Sequence, residues 1–418
     1  MRIAYVCADA GVPVFGTKGC SIHVQEVTRA FVRRGDTVDL FVARAGGAAP
    51  PDLENCAVTQ ISVRKSESAS DRELSQRENA VRMAQSIRFS DYDLVYERYS
   101  LWSDAVQAAA GRCGVPAVLE VNAPLIMEQK QHRGLIHQAA AIRTALSVFL
   151  SAPTIIAVSD EVAAWVNEFC HLRTGRTPWN LHVVPNGVDV SRFTACVAQS
   201  PSADDVTIGF VGSLKQWHGV ASLLSAFADV VEELPGAKLR IIGDGPMRTE
   251  LQQQAAQLPV AAARRVEFTG AIPPAEMPKQ LASLDIAVAP YDSADGFYFS
   301  PLKVYEYMAC GLAVVASATG QLSNLVQDGI NGILVPPGDR ARLAESLLKL
   351  ARTPSTRRRL GEAARQSVVE HHSWQSVLER ILRHVNAASR ASQSAGRSDH
   401  VENEHSIPRL QPWGVGGA

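Results

Sequence analysis

The sequence carries almost no net charge: 41 Lys and Arg stand against 42 Asp and Glu. A chain so balanced does not hold nucleic acid by bulk electrostatics. Its seven cysteines, Cys7, Cys20, Cys56, Cys113, Cys170, Cys196 and Cys310, form no CxxC pair, and their number is odd. That excludes a disulfide framework and a cysteine-rich zinc site, and it fits a reduced, cytoplasmic chain. No stretch reaches the about 18 uncharged apolar residues of a membrane span. The N-terminal MRIAYVCADA lacks the apolar core of a signal peptide and reads as a first buried strand. Neither GxGxxG nor GxxxxGK followed by Ser or Thr opens a helix, which disfavours a nucleotide dehydrogenase and a P-loop ATPase. No internal repeat is evident.

What is present is an ordinary globular composition, 46% hydrophobic and 20% charged over 418 residues, enough for two domains. Strand-like and helix-like segments alternate from the start. Ile3–Cys7 is apolar, Ile22, Val27, Ala30 and Phe31 recur at helical spacing, and Val38–Val42 is apolar again. Further strands are expected at Leu94–Tyr96, Ala117–Val121, Thr154–Val158 and His182–Val184. Periodicity lapses near residues 194–205 and restarts with strands at Val206–Val211, Leu239–Ile242, Ile286–Ala289 and Ala313–Ala316. The fold class is α/β, with Rossmann-like domains over 1–200 and 205–372. A last helix follows over about 373–388, and residues 390–418 have no period and are expected to be disordered. Two such halves leave a cleft between them for a small ligand.

The most informative segment is Phe299-Ser300-Pro301-Leu302-Lys303-Val304-Tyr305-Glu306-Tyr307-Met308-Ala309-Cys310-Gly311. It reads as a loop, a Ser300 cap, Pro301 at the first helical position and a short helix stopped by glycine. The free backbone N–H groups at this helix start, with Ser300, Pro301 and Leu302 around them, and the Lys303 charge suit a diphosphate. Glu306, three residues on, is placed on the same helix face and suits ribose hydroxyls. Gly16 and Gly19 bracket the turn after the first strand, where a backbone can approach an anion closely, or simply turn tightly. In Val211-Gly212-Ser213-Leu214-Lys215-Gln216-Trp217-His218-Gly219, Lys215 offers a compact cation. His218 offers a neutral donor or a cation. Gly243-Asp244-Gly245-Pro246 is a turn or a wall of the same pocket.

These segments, with Val184-Pro185-Asn186-Gly187-Val188-Asp189 between the halves, resemble the family 4 glycosyltransferases, in the same order, from Met1 to about residue 388. The resemblance implies the GT-B architecture, two Rossmann-like domains facing a cleft, with the C-terminal helix crossing back to the first. It implies a retaining transfer from a nucleotide diphosphate sugar to a glycan, lipid-linked or small-molecule acceptor, as in polysaccharide biosynthesis. Lys215, Lys303 and Glu306 would be catalytic. Gly16, Ser213, His218, Gly243, Ser300, Pro301 and Leu302 would hold the donor. No cofactor and no metal are implied. Asp91-Tyr92-Asp93 fits a metal motif of a different transferase fold and is read here as a turn.

The pattern departs from the family at three places. Ser213 and His218 stand where many relatives have Arg and Lys. Tyr298 stands where the first acid of Glu, seven residues, Glu is expected, so Asp292, Asp295 or backbone would serve the sugar. Asn122 replaces a His and cannot titrate. Glu97, Arg98, Glu120 and Asn122 end two predicted strands and are assigned to acceptor or sugar contact, with a Glu97–Arg98 ion pair as the alternative. His23 either sees phosphate or is packed. An amphipathic stretch over 126–150, carrying Lys130, Arg133 and Arg143, either covers its own sheet or rests on the inner face of a membrane. An epimerase of the same fold, or a nucleotide-sugar-binding protein without catalysis, are the competing readings.

Overall fold

The computed structural model describes residues 1–194, 205–293 and 297–398. The expected connection near 194–205, Asp295, and the tail beyond Ser398 therefore lie largely or wholly outside the described residues. The first domain holds seven strands: β1 Arg2–Cys7, β2 Thr37–Val42, β3 Ala57–Gln60, β4 Leu94–Arg98, β5 Ala117–Val121, β6 Ile155–Ala157 and β7 Leu181–Val183. The second holds six: β8 Thr207–Val211, β9 Lys238–Ile242, β10 Val266–Gly270, β11 Ile286–Ala289, β12 Ala313–Ser317 and β13 Ile333–Val335. The first sheet runs β3-β2-β1-β4-β5-β6-β7 and the second β10-β9-β8-β11-β12-β13. All named pairings are parallel.

Helices cover both faces of each sheet, so the central strands are apolar on both sides rather than alternating. In β1 the pleat still sorts the side chains. Ala4 and Val6 join one apolar cluster, and Ile3, Tyr5 and Cys7 join the other. In each sheet the strand order reverses once, between β1 and β4 and between β8 and β11. A crevice opens there at the strands' C-terminal ends.

The last helix, Trp374–Ser398, leaves the second domain and packs on the first. Trp374, Val377, Leu378, Ile381 and Val385 recur at helical spacing within the cluster of Ile3, Tyr5 and Phe31. Its apolar period ends at the buried Ala388, but the backbone stays helical to Ser398, ten residues past the expected end. The two chain crossings run side by side: Val188 N–H donates to His372 O at 2.8 Å, and Trp374 N–H to Val188 O at 3.2 Å.

Candidate functional site

The site is built where the switch points of the two sheets approach one another. On the second domain, the segment after β11 leads into a helix over Leu302–Ala309. Pro301 precedes it, and no side chain caps it. Ser300 was expected to cap; instead its hydroxyl accepts from Asn186 N–H at 3.2 Å and its carbonyl from Asn186 Nδ2 at 2.9 Å. The hydroxyl thus ties the helix start to the interdomain strap and leaves the dipole end uncapped.

Lys303 points from this helix back over the second sheet. Its Nζ lies 4.1 Å from the centre of the Phe210 ring and 5.1 Å from that of Tyr291. The ammonium is buried and, among the described residues, has no hydrogen-bond partner. Burial lowers its pKa to about 7. Phe210 is next to last in β8 and Tyr291 follows β11, so the cation stands at the switch point itself.

The loop after β8 completes this wall. Lys215 is exposed, with Nζ 4.5 Å over the Trp217 ring. His218 packs edge-on to Tyr291, with centroids 5.8 Å apart. Burial first, then the charges of Lys303 and Lys215, push its pKa down to about 3. It is therefore neutral, and the expected alternative of a cation is not realised. Its Nδ1 contacts the Ser213 carbonyl, so the ring proton is spent inside the loop and Nε2 is left as an acceptor. Ser213 itself is exposed. That both lysines act on one imidazole shows the loop and the helix start converging. Gly243 is structural here: at φ 139°, a Cβ would sit 1.9 Å from Gly212 O. Gly16 is likewise required by packing, since a Cβ would meet Pro13 Cγ at 2.9 Å.

Glu306 does not join Lys303. It lines a separate hollow between the domains with Ile22, Glu26, Asp189, Arg192 and Trp374. Burial pushes its pKa up to about 7, against the pull of Arg192. The long Lys303 side chain runs to the sheet, whereas the shorter Glu306 faces the strap and the first helix, so equal helix spacing does not give a shared pocket. Arg192 pairs there with Glu26 at 3.0 Å, and Arg33 with Asp189 at 2.7 Å.

On the first domain, Arg98 and Glu120 are register neighbours in β4 and β5 and share one face of the sheet. His23 lies between them. Arg98 Nη1 is 3.2 Å from His23 Nδ1, and His23 Nε2 is 3.3 Å from Glu120 Oε1. Arginine only donates, so Nδ1 must accept and Nε2 carries the proton toward Glu120. Burial alone would raise Glu120; His23 and Arg98 outweigh it and hold its pKa below the usual range. Among the described residues, Glu120 Oε2 and both amide atoms of Asn122 are buried without a hydrogen-bond partner. His23 is thus packed within the crevice, not open to phosphate.

Glu97 separates from this group. The pleat turns it to the opposite face, where its carboxylate accepts from Val106 N–H at 2.7 Å at the start of the Ala105–Cys113 helix. Burial pushes its pKa up to about 7. Neither sugar contact nor an ion pair with Arg98 describes it: it satisfies a buried helix end. Asp91 and Asp93 lie before the N-terminal end of β4, away from the crevice. Arg2 N–H donates to Asp93 at 2.7 Å. Among the described residues, no group of three or more His, Cys, Asp and Glu gathers as a metal site.

One contact escaped the sequence. Tyr298, in the missing acid's place, packs its ring against the first domain's apolar cluster, and its phenol donates to Glu128 on the Leu125–His132 helix. The expected amphipathic stretch over 126–150 is in fact two helices, this one and Gln138–Ser151. Asp292 is exposed and lies beside the Gly219 turn.

The description "Glycosyltransferase Family 4" matches residues 17–192, and "Glycosyl transferases group 1" matches residues 205–353. A D-inositol 3-phosphate glycosyltransferase of Kribbella flavida is 27% identical over 394 residues, which is 87% of this chain and 89% of that one. A GDP-mannose-dependent monoacylated alpha-(1-6)-phosphatidylinositol monomannoside mannosyltransferase of Corynebacterium glutamicum is 28% identical over 242 residues, 54% of this chain and 62% of that one. Among solved structures, Anabaena Alr3699/HepE in complex with UDP and glucose aligns with a TM-score of 0.68 at 20% identity, covering 92% of this chain and 99% of that one. Sucrose-phosphate synthase from Thermosynechococcus elongatus aligns with a TM-score of 0.68 at 18% identity, covering 95% and 100%. Two matched halves in order, on two doubly wound sheets joined by a returning helix, place this chain in the family 4, group 1 glycosyltransferases of GT-B fold, enzymes that draw on a nucleotide-sugar donor.

Proposed function

We propose that this glycosyltransferase is retaining and passes a sugar from a nucleotide diphosphate to a hydroxyl of a glycan, lipid-linked or small polyol acceptor without a metal. The observation that carries this is Lys303, a buried ammonium with no partner, at an uncapped helix start. A diphosphate supplies the missing countercharge. As the sugar–oxygen bond breaks, negative charge grows on the β-phosphate, and Lys303, Lys215 and the helix start stabilise it. The departing phosphate oxygen then takes the acceptor proton on the same face of the sugar. No protein nucleophile is needed, which suits Tyr298 in place of an acid. The unpartnered Asn122 amide and Glu120 oxygen suit a polyhydroxylated acceptor, because they offer both donors and acceptors. The relatives named for inositol phosphate and phosphatidylinositol mannoside are in keeping with that class. Incubating the protein with an α-linked donor and an accepted polyol, and reading the anomeric proton coupling of the product, should give the α-glycoside. A β product would overturn the retaining reading.

A lipid-linked acceptor is favoured by one surface feature. Met127 is 44% and Ile136 56% exposed, and the cations Lys130 and Arg133 are exposed beside them. Apolar side chains flanked by cations suit an anionic bilayer surface. Among the described residues, no helix is long and apolar enough to cross a membrane. In vesicle flotation the protein should rise with acidic lipid, and Lys130→Glu with Arg133→Glu should abolish this. Flotation that does not depend on acidic lipid would remove the membrane contact.

A further inference from the structure

We propose that Glu128, on the first domain, is the carboxylate that reads the hydroxyls of the donor sugar, with Tyr298 as its positioning residue. The inference rests on the transferase reading above, because it needs a sugar diphosphate at Lys303.

Four observations place it. The loop before the Lys303 helix is pinned across the cleft: Ser159 Oγ donates to Tyr298 O at 2.6 Å, and Asn186 holds Ser300. The Tyr298 ring is seated in the first domain's apolar cluster, which fixes where its hydroxyl can reach. That hydroxyl meets Glu128 Oε1. The helix carrying Glu128 starts at Leu125, just past Asn122 and the end of β5, so Glu128 stands between the diphosphate wall and the acceptor crevice. A sugar hanging from the β-phosphate must lie in that interval.

The chemistry suits the place. A carboxylate accepts only and can take several hydrogen bonds at once, so it can accept from a sugar hydroxyl beside the partners it already has. Sugar hydroxyls donate. A phenol is a donor that fixes the orientation of the carboxylate. The exposed Asp292 beside Gly219 does not reach this interval by any contact the structure shows. Sequence spacing could not find Glu128, because it comes from the other domain, 170 residues earlier.

The test is a donor panel of UDP-glucose, UDP-galactose and GDP-mannose with wild type, Glu128→Gln and Tyr298→Phe. Both changes are nearly isosteric, and UDP-induced thermal shifts check folding and the diphosphate site. Glu128→Gln should lower kcat/KM for the preferred donor by about tenfold or more, while the discrimination against its epimer shrinks by a similar factor. Tyr298→Phe should act in the same direction but less. UDP affinity should stay within about twofold of wild type. A uniform loss over all donors, or a parallel loss of UDP affinity, would reduce the pair to a clasp between domains and overturn the assignment. If wild type transfers normally and Glu128→Gln leaves discrimination unchanged, this inference alone fails. If wild type transfers no sugar from any donor, the transferase reading falls with it.

Discussion

Lys303→Met should lower kcat/KM by about a hundredfold, the scale on which one preorganised transition-state donor is lost. The substitution keeps the apolar stem over Phe210 and Tyr291 and removes only the charge. Folding should not suffer, because a buried ammonium without a partner is a cost to the free protein. The pH dependence separates the two effects. Lys303 is lowered to about 7 in the free protein, below the unfolded lysine range. Between these values the unfolded chain binds more protons than the native one, so ligand-free stability rises with pH across that window. Donor binding has the opposite sign. The diphosphate favours the ammonium, so affinity is full below about pH 7 and falls as the pH climbs above it. Isothermal titration of UDP from pH 6 to 9 should show that decline in wild type and a flat profile in the methionine variant. Parallel profiles, or a kcat/KM within about threefold of wild type, would remove Lys303 from the leaving-group site.

Glu120→Ala should destabilise the first domain by about 3 kcal/mol or more, the range for stranding one half of a buried charge pair. Glu120 is 3% exposed; it balances the Arg98 charge and faces the Nε2–H of His23. With the carboxylate gone, the Arg98 charge stays buried opposite a ring that can only accept from it at Nδ1. At about 2–4 °C per kcal/mol, the melting midpoint should drop by roughly 6–12 °C. The acid limb gives a second check. The native pKa of Glu120 is depressed, so its contribution is present above the unfolded carboxylate range and is lost as pH falls through the native value. The alanine variant should therefore show a shallower acid loss than wild type. Replacing both partners, Arg98→Met with Glu120→Leu, should recover much of the stability, because no charge is then left unpaired. A single-variant loss under about 1 kcal/mol would mean that water enters the crevice and screens Arg98.

The central strands were legible because they are buried on both faces and read as continuous apolar runs. β3, β10 and β13 were not. They are three of the sheets' four outer strands, β7 being the fourth, and β3 is exposed along its whole length. Ala57-Val58-Thr59-Gln60 carries no apolar run, so nothing in its composition distinguishes it from a loop. The helix at Leu302 was legible from Pro301 and Gly311. Ser300 was misread as its cap because a serine before a proline is equally able to accept from another chain segment, and Asn186 is 114 residues away.

Local order in the chain was enough to set the two α/β domains, the βα loops that end near the cleft, and the family whose motifs they carry. Those features depend on spacing of 2 and 3.6 and on glycine or proline at fixed offsets, all contained within about thirty residues. Tertiary structure alone decided what each polar group does. The pleat sent Glu97 to a helix end and Arg98 to the crevice. The reach of each side chain parted Lys303 from Glu306, a ring proton of His218 was spent on its own loop, and Tyr298 met Glu128 across the cleft. Hydrogen bonds and burial are set by neighbours distant in sequence, and single-residue identity carries no record of them.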